Sequence, residues 1–87
     1  MERDKPSILL SDNDWKSIRA HLIGLREYSI TRTMGRLTIT VSTEWTDSKA
    51  WPGPMCVRVV ASRGDYRCMQ NFPSTEEARG GIKQWMV

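Results

Sequence analysis

Apolar positions along the chain recur with two different spacings, and the switch between them locates the elements. Trp15, Ile18 and Leu22 repeat every three or four residues, the stripe of an amphipathic helix. Ser11 suits the N-cap. Asp14, at the third helical position, imitates the partner in a capping box and complements the helix dipole. Leu10 and Trp15 occupy the two positions of a hydrophobic staple, and Ile8 to Leu10 read as an apolar lead-in, a brief edge strand. Gly24 marks the stop, with Leu25 placed to fold back on the last turn. The spacing predicts a helix over 12–23.

From Glu27 the period becomes two. Tyr28, Ile30 and Met34 fall on one side, and Ser29, Thr31 and Thr33 on the other. Gly35-Arg36 suits a type II′ turn, after which Leu37, Ile39 and Val41 return on the apolar side with Thr38, Thr40 and Ser42 facing away. Arg32 stands in the apolar row, where it has to snorkel, find a partner or mark an edge. Trp45 continues the row of its strand and reads as core.

A second hairpin is predicted over 55–62 and 66–72, turning at Ser62-Arg63-Gly64-Asp65. Its core side holds Val57, Val59, Ala61, Tyr66, Cys68 and Phe72, interrupted by Gln70. Its reverse side holds Cys56, Arg58, Val60, Arg67, Met69 and Asn71. Between the hairpins, Pro52-Gly53-Pro54 prevents either strand from running through and frames Trp51.

Ser74 with Glu77 makes a capping box that opens a last helix, and Ala78, Ile82 and Trp85 form its inner stripe. Gly80-Gly81 weakens that helix by roughly 1 kcal/mol per glycine relative to alanine. The pair makes sense where the helix lies tightly across a sheet; otherwise it invites fraying. The predicted fold is α+β, in the order α-β-β-β-β-α. A four-stranded antiparallel sheet from two hairpins carries the N-terminal and C-terminal helices on one face. All 87 residues fit one domain, with 1–7 read as flexible.

Composition adds constraints. Hydrophobic residues at 39% and charged residues at 26% fit a globular chain rather than a disordered one. The formal charge of +3 is too small to demand a polyanionic partner, although arginine, the planar fork for phosphate and carboxylate, outnumbers lysine. Cys56 and Cys68 fall on opposite sides of the predicted hairpin, so they read as buried or half-buried free thiols of a reducing compartment rather than a disulfide. With His21 as the sole histidine they supply no zinc set, and no cofactor is implied. No apolar run is long enough to span a bilayer, and the first residues do not lead into a signal-peptide core, so a cytoplasmic location without membrane contact is expected.

Catalysis finds little footing. His21 sits beside the stripe of its helix and reads as structural, and neither a phosphate loop nor a nucleophile elbow is present. Asp12 and Asp14, two apart on a helix, do not share a face. Arg63-Gly64-Asp65, formally an adhesion tripeptide, stands where a turn is needed.

A binding role fits better. Trp51, Arg58, Val60, Arg67 and Met69 combine rigid aromatic, apolar and arginine character in the way protein interfaces do. The expected partner is another protein, and a homodimer through the same face fits the same pattern. The alternative is a nucleic-acid binder that contacts phosphates through a basic outer sheet face, with Arg58 and Arg67 on that face and Arg36 and Arg63 at the two hairpin turns. Against it, Tyr28, Tyr66 and Phe72 all count inward and leave no stacking platform.

The closing segment, a hairpin followed by Phe72-Pro73-Ser74-Thr75-Glu76-Glu77-Ala78 and a terminal helix, resembles a layout common in small accessory proteins of bacteriophages and mobile elements. That resemblance covers the last third of the chain. It implies a regulator or inhibitor of a host enzyme or nucleic-acid complex.

Overall fold

A computed structural model describes residues 10–46 and 53–85, with side chains through Ile82 in the last helix. The order is α1 (Asp12–Ile23), β1 (Tyr28–Met34), β2 (Leu37–Trp45), β3 (Met55–Arg63), β4 (Tyr66–Phe72) and α2 (Thr75–Trp85). The strands form one antiparallel sheet in the order β1-β2-β3-β4. The α+β class and the α-β-β-β-β-α order predicted from the periodicities are therefore the observed ones. The expected strand at Ile8, the flexible segment 1–7 and the Trp85 side chain lie outside the described residues.

Local chemistry explains where each element begins. Ser11 Oγ accepts from the Asp14 N–H at 3.1 Å, and the Ser11 N–H donates to Asp14 Oδ2 at 3.0 Å, so both halves of a capping box are present. At the start of α2, Ser74 Oγ accepts from the Glu77 N–H at 3.2 Å. Both hairpin loops have positive φ at their first residue alone, Gly35 at 61° and Gly64 at 60°, which is the type II′ pattern. Strand β3 runs one residue past the predicted 62, and this matters for Arg63 below.

The end of α1 differs from expectation. Gly24 has an ordinary φ of −78°, and the left-handed position is taken by Leu25 at 56°. The Arg26 N–H donates to the His21 carbonyl at 2.9 Å and the Leu25 N–H to the Leu22 carbonyl at 3.2 Å, the paired bonds of a Schellman motif. Leu25 therefore does not fold back on the helix; it stays 46% exposed. Hydrogen bonding fixes the motif one residue later than the glycine that would suit it.

Register aligns the helix-side rows across the sheet. Tyr28, Thr43, Val57 and Phe72 make the first row, then Ile30, Val41, Val59 and Gln70, then Arg32, Ile39, Ala61 and Cys68. Met34, Leu37, Arg63 and Tyr66 form the last, beside both turns. Leu10, Trp15, Ile18, Ala78 and Ile82 pack on the first rows to make one core with Ile30, Ile39, Val41, Val57, Val59 and Phe72. α1 lies over β1 to β3 and α2 over β3 and β4.

Burial fades toward the turns, where the sheet outruns the helices. Tyr66 and Cys68 belong to the helix-side rows, as counted from sequence, but they are exposed, Tyr66 at 81%. Trp45, expected in the core, is 52% exposed at the far end of β2. Period two assigns a side, but only a covering layer buries it.

Polar contacts settle the exceptions in the apolar pattern. Arg32 Nη2 pairs with Asp14 Oδ1 at 3.0 Å, tying β1 to the cap of α1. Thr43, buried in the first row, donates from Oγ1 to the Arg26 carbonyl at 2.6 Å. The His21 ring stacks on Tyr28 at 4.0 Å, and its Nδ1 lies 2.7 Å from the Ser17 carbonyl. Because a carbonyl only accepts, Nδ1 carries the hydrogen. Between the helices, the Arg79 guanidinium sits 5.9 Å from the centre of the Trp15 ring and pairs with Asp12.

Candidate functional site

The sheet side facing away from the helices is covered by no described element. On β1 and β2 it is a hydroxyl ladder. Thr31 and Thr40, paired across the strands, share a hydrogen bond at 2.9 Å, and Thr33 and Thr38 share one at 3.2 Å. Ser42 is buried and donates to Glu44 Oε2 at 2.8 Å. The threonine hydroxyls satisfy one another and Glu44 takes that of Ser42, so the β1–β2 half is polar and already organised.

On β3 and β4 the same side turns apolar at its centre. Val60 pairs with Met69 in the β3–β4 register and with Thr40 in the β2–β3 register. Val60 is half-buried between its neighbours, and Met69, on the outermost strand, is 57% exposed. Met69 is a flexible, polarisable side chain of the sort that adapts to irregular contacts.

Two arginines flank this pair. Arg58 Nε donates to Asn71 Oδ1 at 3.1 Å and Arg58 Nη1 lies 4.0 Å from Glu44 Oε1, so the guanidinium is held between Asn71 and Glu44 with donors to spare. Arg67, opposite Ser62, is exposed, and no carboxylate among the described residues pairs with it. Cys56 is buried on this side near Glu44, whereas Cys68 is exposed on the other. The expectation of two buried or half-buried thiols thus holds for Cys56 alone.

Of the protein-binding residues named from sequence, Arg58, Val60, Arg67 and Met69 come together on one surface. Trp51 lies outside the described residues. The nucleic-acid set does not assemble in the same way. The extra residue of β3 places Arg63 opposite Leu37 and Tyr66, in a helix-side row, while Arg58 and Arg67 face the other way and Arg36 sits in the first turn. The four arginines are divided between the two sides of the sheet and a turn.

Sequence reasoning missed the exposed strand itself. Tyr66, Arg67, Cys68, Met69 and Gln70 are all exposed, so β4 is bare on both sides over most of its length. Among the described residues, α2 packs on the Phe72 end of β4. A shallow depression elsewhere, lined by Glu27, Tyr28, Ser29, Thr43 and Glu44, is open to solvent. Among the described residues no group of three His, Cys, Asp or Glu is placed to hold a metal ion, and no helix is long and apolar enough to cross a membrane. Compared with protein-family models, curated proteins and solved structures, the chain matches none.

Proposed function

We propose that the chain is a non-enzymatic protein-binding domain, regulatory or inhibitory in role, whose contact surface is the sheet side away from the helices. One observation carries the reading. Val60 and Met69 form an apolar centre on an uncovered sheet, flanked by Arg58, held in place, and Arg67, free to pair. An apolar centre with an arginine rim is the anatomy of a protein interface. The separation of Arg63 from Arg58 and Arg67 speaks against a single phosphate-binding face, so nucleic acid is the weaker reading.

The test is affinity capture from source-cell extract, with and without nuclease, comparing wild type with Met69→Asp and Arg67→Glu. Both positions are exposed, so both variants are expected to fold. A protein retained after nuclease by wild type and lost by both variants supports the reading. A partner that vanishes with nuclease, together with salt-sensitive binding of oligonucleotides, points to nucleic acid instead. Capture unaffected by either substitution removes this face as the site.

A further inference from the structure

We propose that two copies of the chain pair edge to edge through β4, antiparallel about a two-fold axis at Met69, joining their sheets into one. β4 is an outer strand of the sheet and carries few of the usual guards against such pairing. It has no proline, no lysine and no bulge, and Arg67 is its sole charge. By contrast β1, the other edge, carries Arg32 in its helix-side row, bonded to Asp14.

The turn fixes which backbone groups are free. In a two-residue hairpin the closing pair, here Arg63 and Tyr66, exchanges both of its hydrogen bonds. Tyr66, Cys68, Gln70 and Phe72 then point their N–H and C=O toward β3, and Arg67, Met69 and Asn71 point theirs outward. A two-fold axis at Met69 sets Met69 against its own copy and Arg67 against Asn71 of the second copy, so every outward group meets one of opposite kind. Like charges do not face each other anywhere in this register.

Side-chain shape and charge fit the same arrangement. Tyr66 of one copy falls opposite Phe72 of the other, so the bare half of each β4 lies beside the helix-covered half of its mate. The two α2 helices sit at opposite ends of the joined strands and stay clear of each other. Within α2, Arg79 and Glu76 reach toward α1, where they meet Asp12 and Arg19. Gly81 touches Phe72 on the other flank, and helical spacing puts Glu77 on that flank too, toward the β4 edge. Exposed Glu77 of one copy therefore comes near exposed Arg63 of the other, and neither has an ion-pair partner among the described residues. This pairing does not rest on the proposed partner-binding face.

Sedimentation equilibrium across the micromolar range tests it, with circular dichroism as the check on folding. Wild type is expected at twice the chain mass. Met69→Pro removes an N–H that the β3 ladder does not use, so it is expected to stay folded and become monomeric. Arg63→Glu is expected to weaken the dimer at least tenfold, and adding Glu77→Arg to restore it. That charge swap decides the matter should the proline variant unfold. Monomeric wild type throughout the range overturns the proposal, as does a dimer indifferent to both Met69→Pro and Arg63→Glu. A dimer that captures no partner protein would sink the functional reading and leave the pairing intact. Partner capture by a monomer would do the reverse.

Discussion

Gly81 lies so close to the ring of Phe72 that a Cβ added to it would overlap the ring atoms. This contact lets α2 sit down on the β4 end of the sheet, where Phe72 and Ile82 are buried in the same core. The neighbouring Gly80 has open space around it. Two adjacent glycines with the same helix-weakening effect thus have opposite standing. Gly80→Ala is expected to stabilise the fold by about 1 kcal/mol through helix propensity alone. Gly81→Ala is expected to destabilise it by roughly 1–3 kcal/mol, because ring or helix must shift in a packed core. Urea denaturation of the two variants checks both signs; equal effects would show that the Phe72 contact does not matter.

Leu25 gives a second test. Its positive φ places a branched side chain in a backbone region that costs a non-glycine residue roughly 1–2 kcal/mol. Its exposed side chain returns little of that through burial. Leu25→Gly is expected to raise stability by about 1 kcal/mol after the glycine's extra freedom in the unfolded chain is subtracted. Leu25→Ala keeps the strained backbone and is expected not to gain. Thermal unfolding of the pair separates strain from side-chain contact.

The contact between the helices carries a pH signature. The hydrogen bond from Arg79 holds the Asp12 carboxyl below its ordinary value of 3.8, and the arginine's charge acts in the same direction. A carboxyl that is more acidic in the folded chain contributes stability fully above its unfolded value and loses it as pH falls through the folded one. Wild type is therefore expected to lose more stability than Asp12→Asn on acidification below about pH 4. The effect is small, because the pair is solvent-exposed and screened. Denaturation midpoints measured against pH, at low and at high salt, would show it. Parallel curves for the two proteins would mean that the pair contributes nothing to folding.

Much of this fold is legible in the sequence because local signals and tertiary packing agree. Ser11, Ser74, Gly35 and Gly64 mark the element ends, and period two assigns each strand residue the side that the register confirms. What period two does not carry is how far the covering layer extends. Tyr66, Cys68 and Trp45 fall on the side that parity assigns yet are exposed: Tyr66 and Cys68 lie toward the turn, and Trp45 is exposed at the other end of β2 although Met55 beside it is buried. The helix stop shows a different limit. Gly24 is the obvious candidate for positive φ, but the Schellman bonds from Leu25 and Arg26 fall one residue later. In the candidate site, Arg58, Val60, Arg67 and Met69 follow from strand parity alone. Arg63 needed the true length of β3: one further strand residue takes it out of the turn and gives it the helix-side parity of Val57, Val59 and Ala61.

The two cysteines give the last test, and it depends on that same parity. In the β3–β4 register Cys68 stands opposite Ala61, and Cys56 lies on the other side of the sheet, so no bond within one chain joins them. Burial pushes the Cys56 thiol up, outweighing the pull of Arg58 in the other direction, so its reactive thiolate is scarce as well as shielded. Alkylation of the native protein at mildly alkaline pH is expected to label Cys68 quickly and to reach Cys56 only with unfolding. Peptide mapping after a time course reads both rates. Because Cys68 lies on the proposed pairing edge, its labelling should also slow as protein concentration rises, whereas that of Cys56 should track global unfolding alone. Fast labelling of Cys56 in the native state would mean that its end of the sheet opens without the rest of the fold.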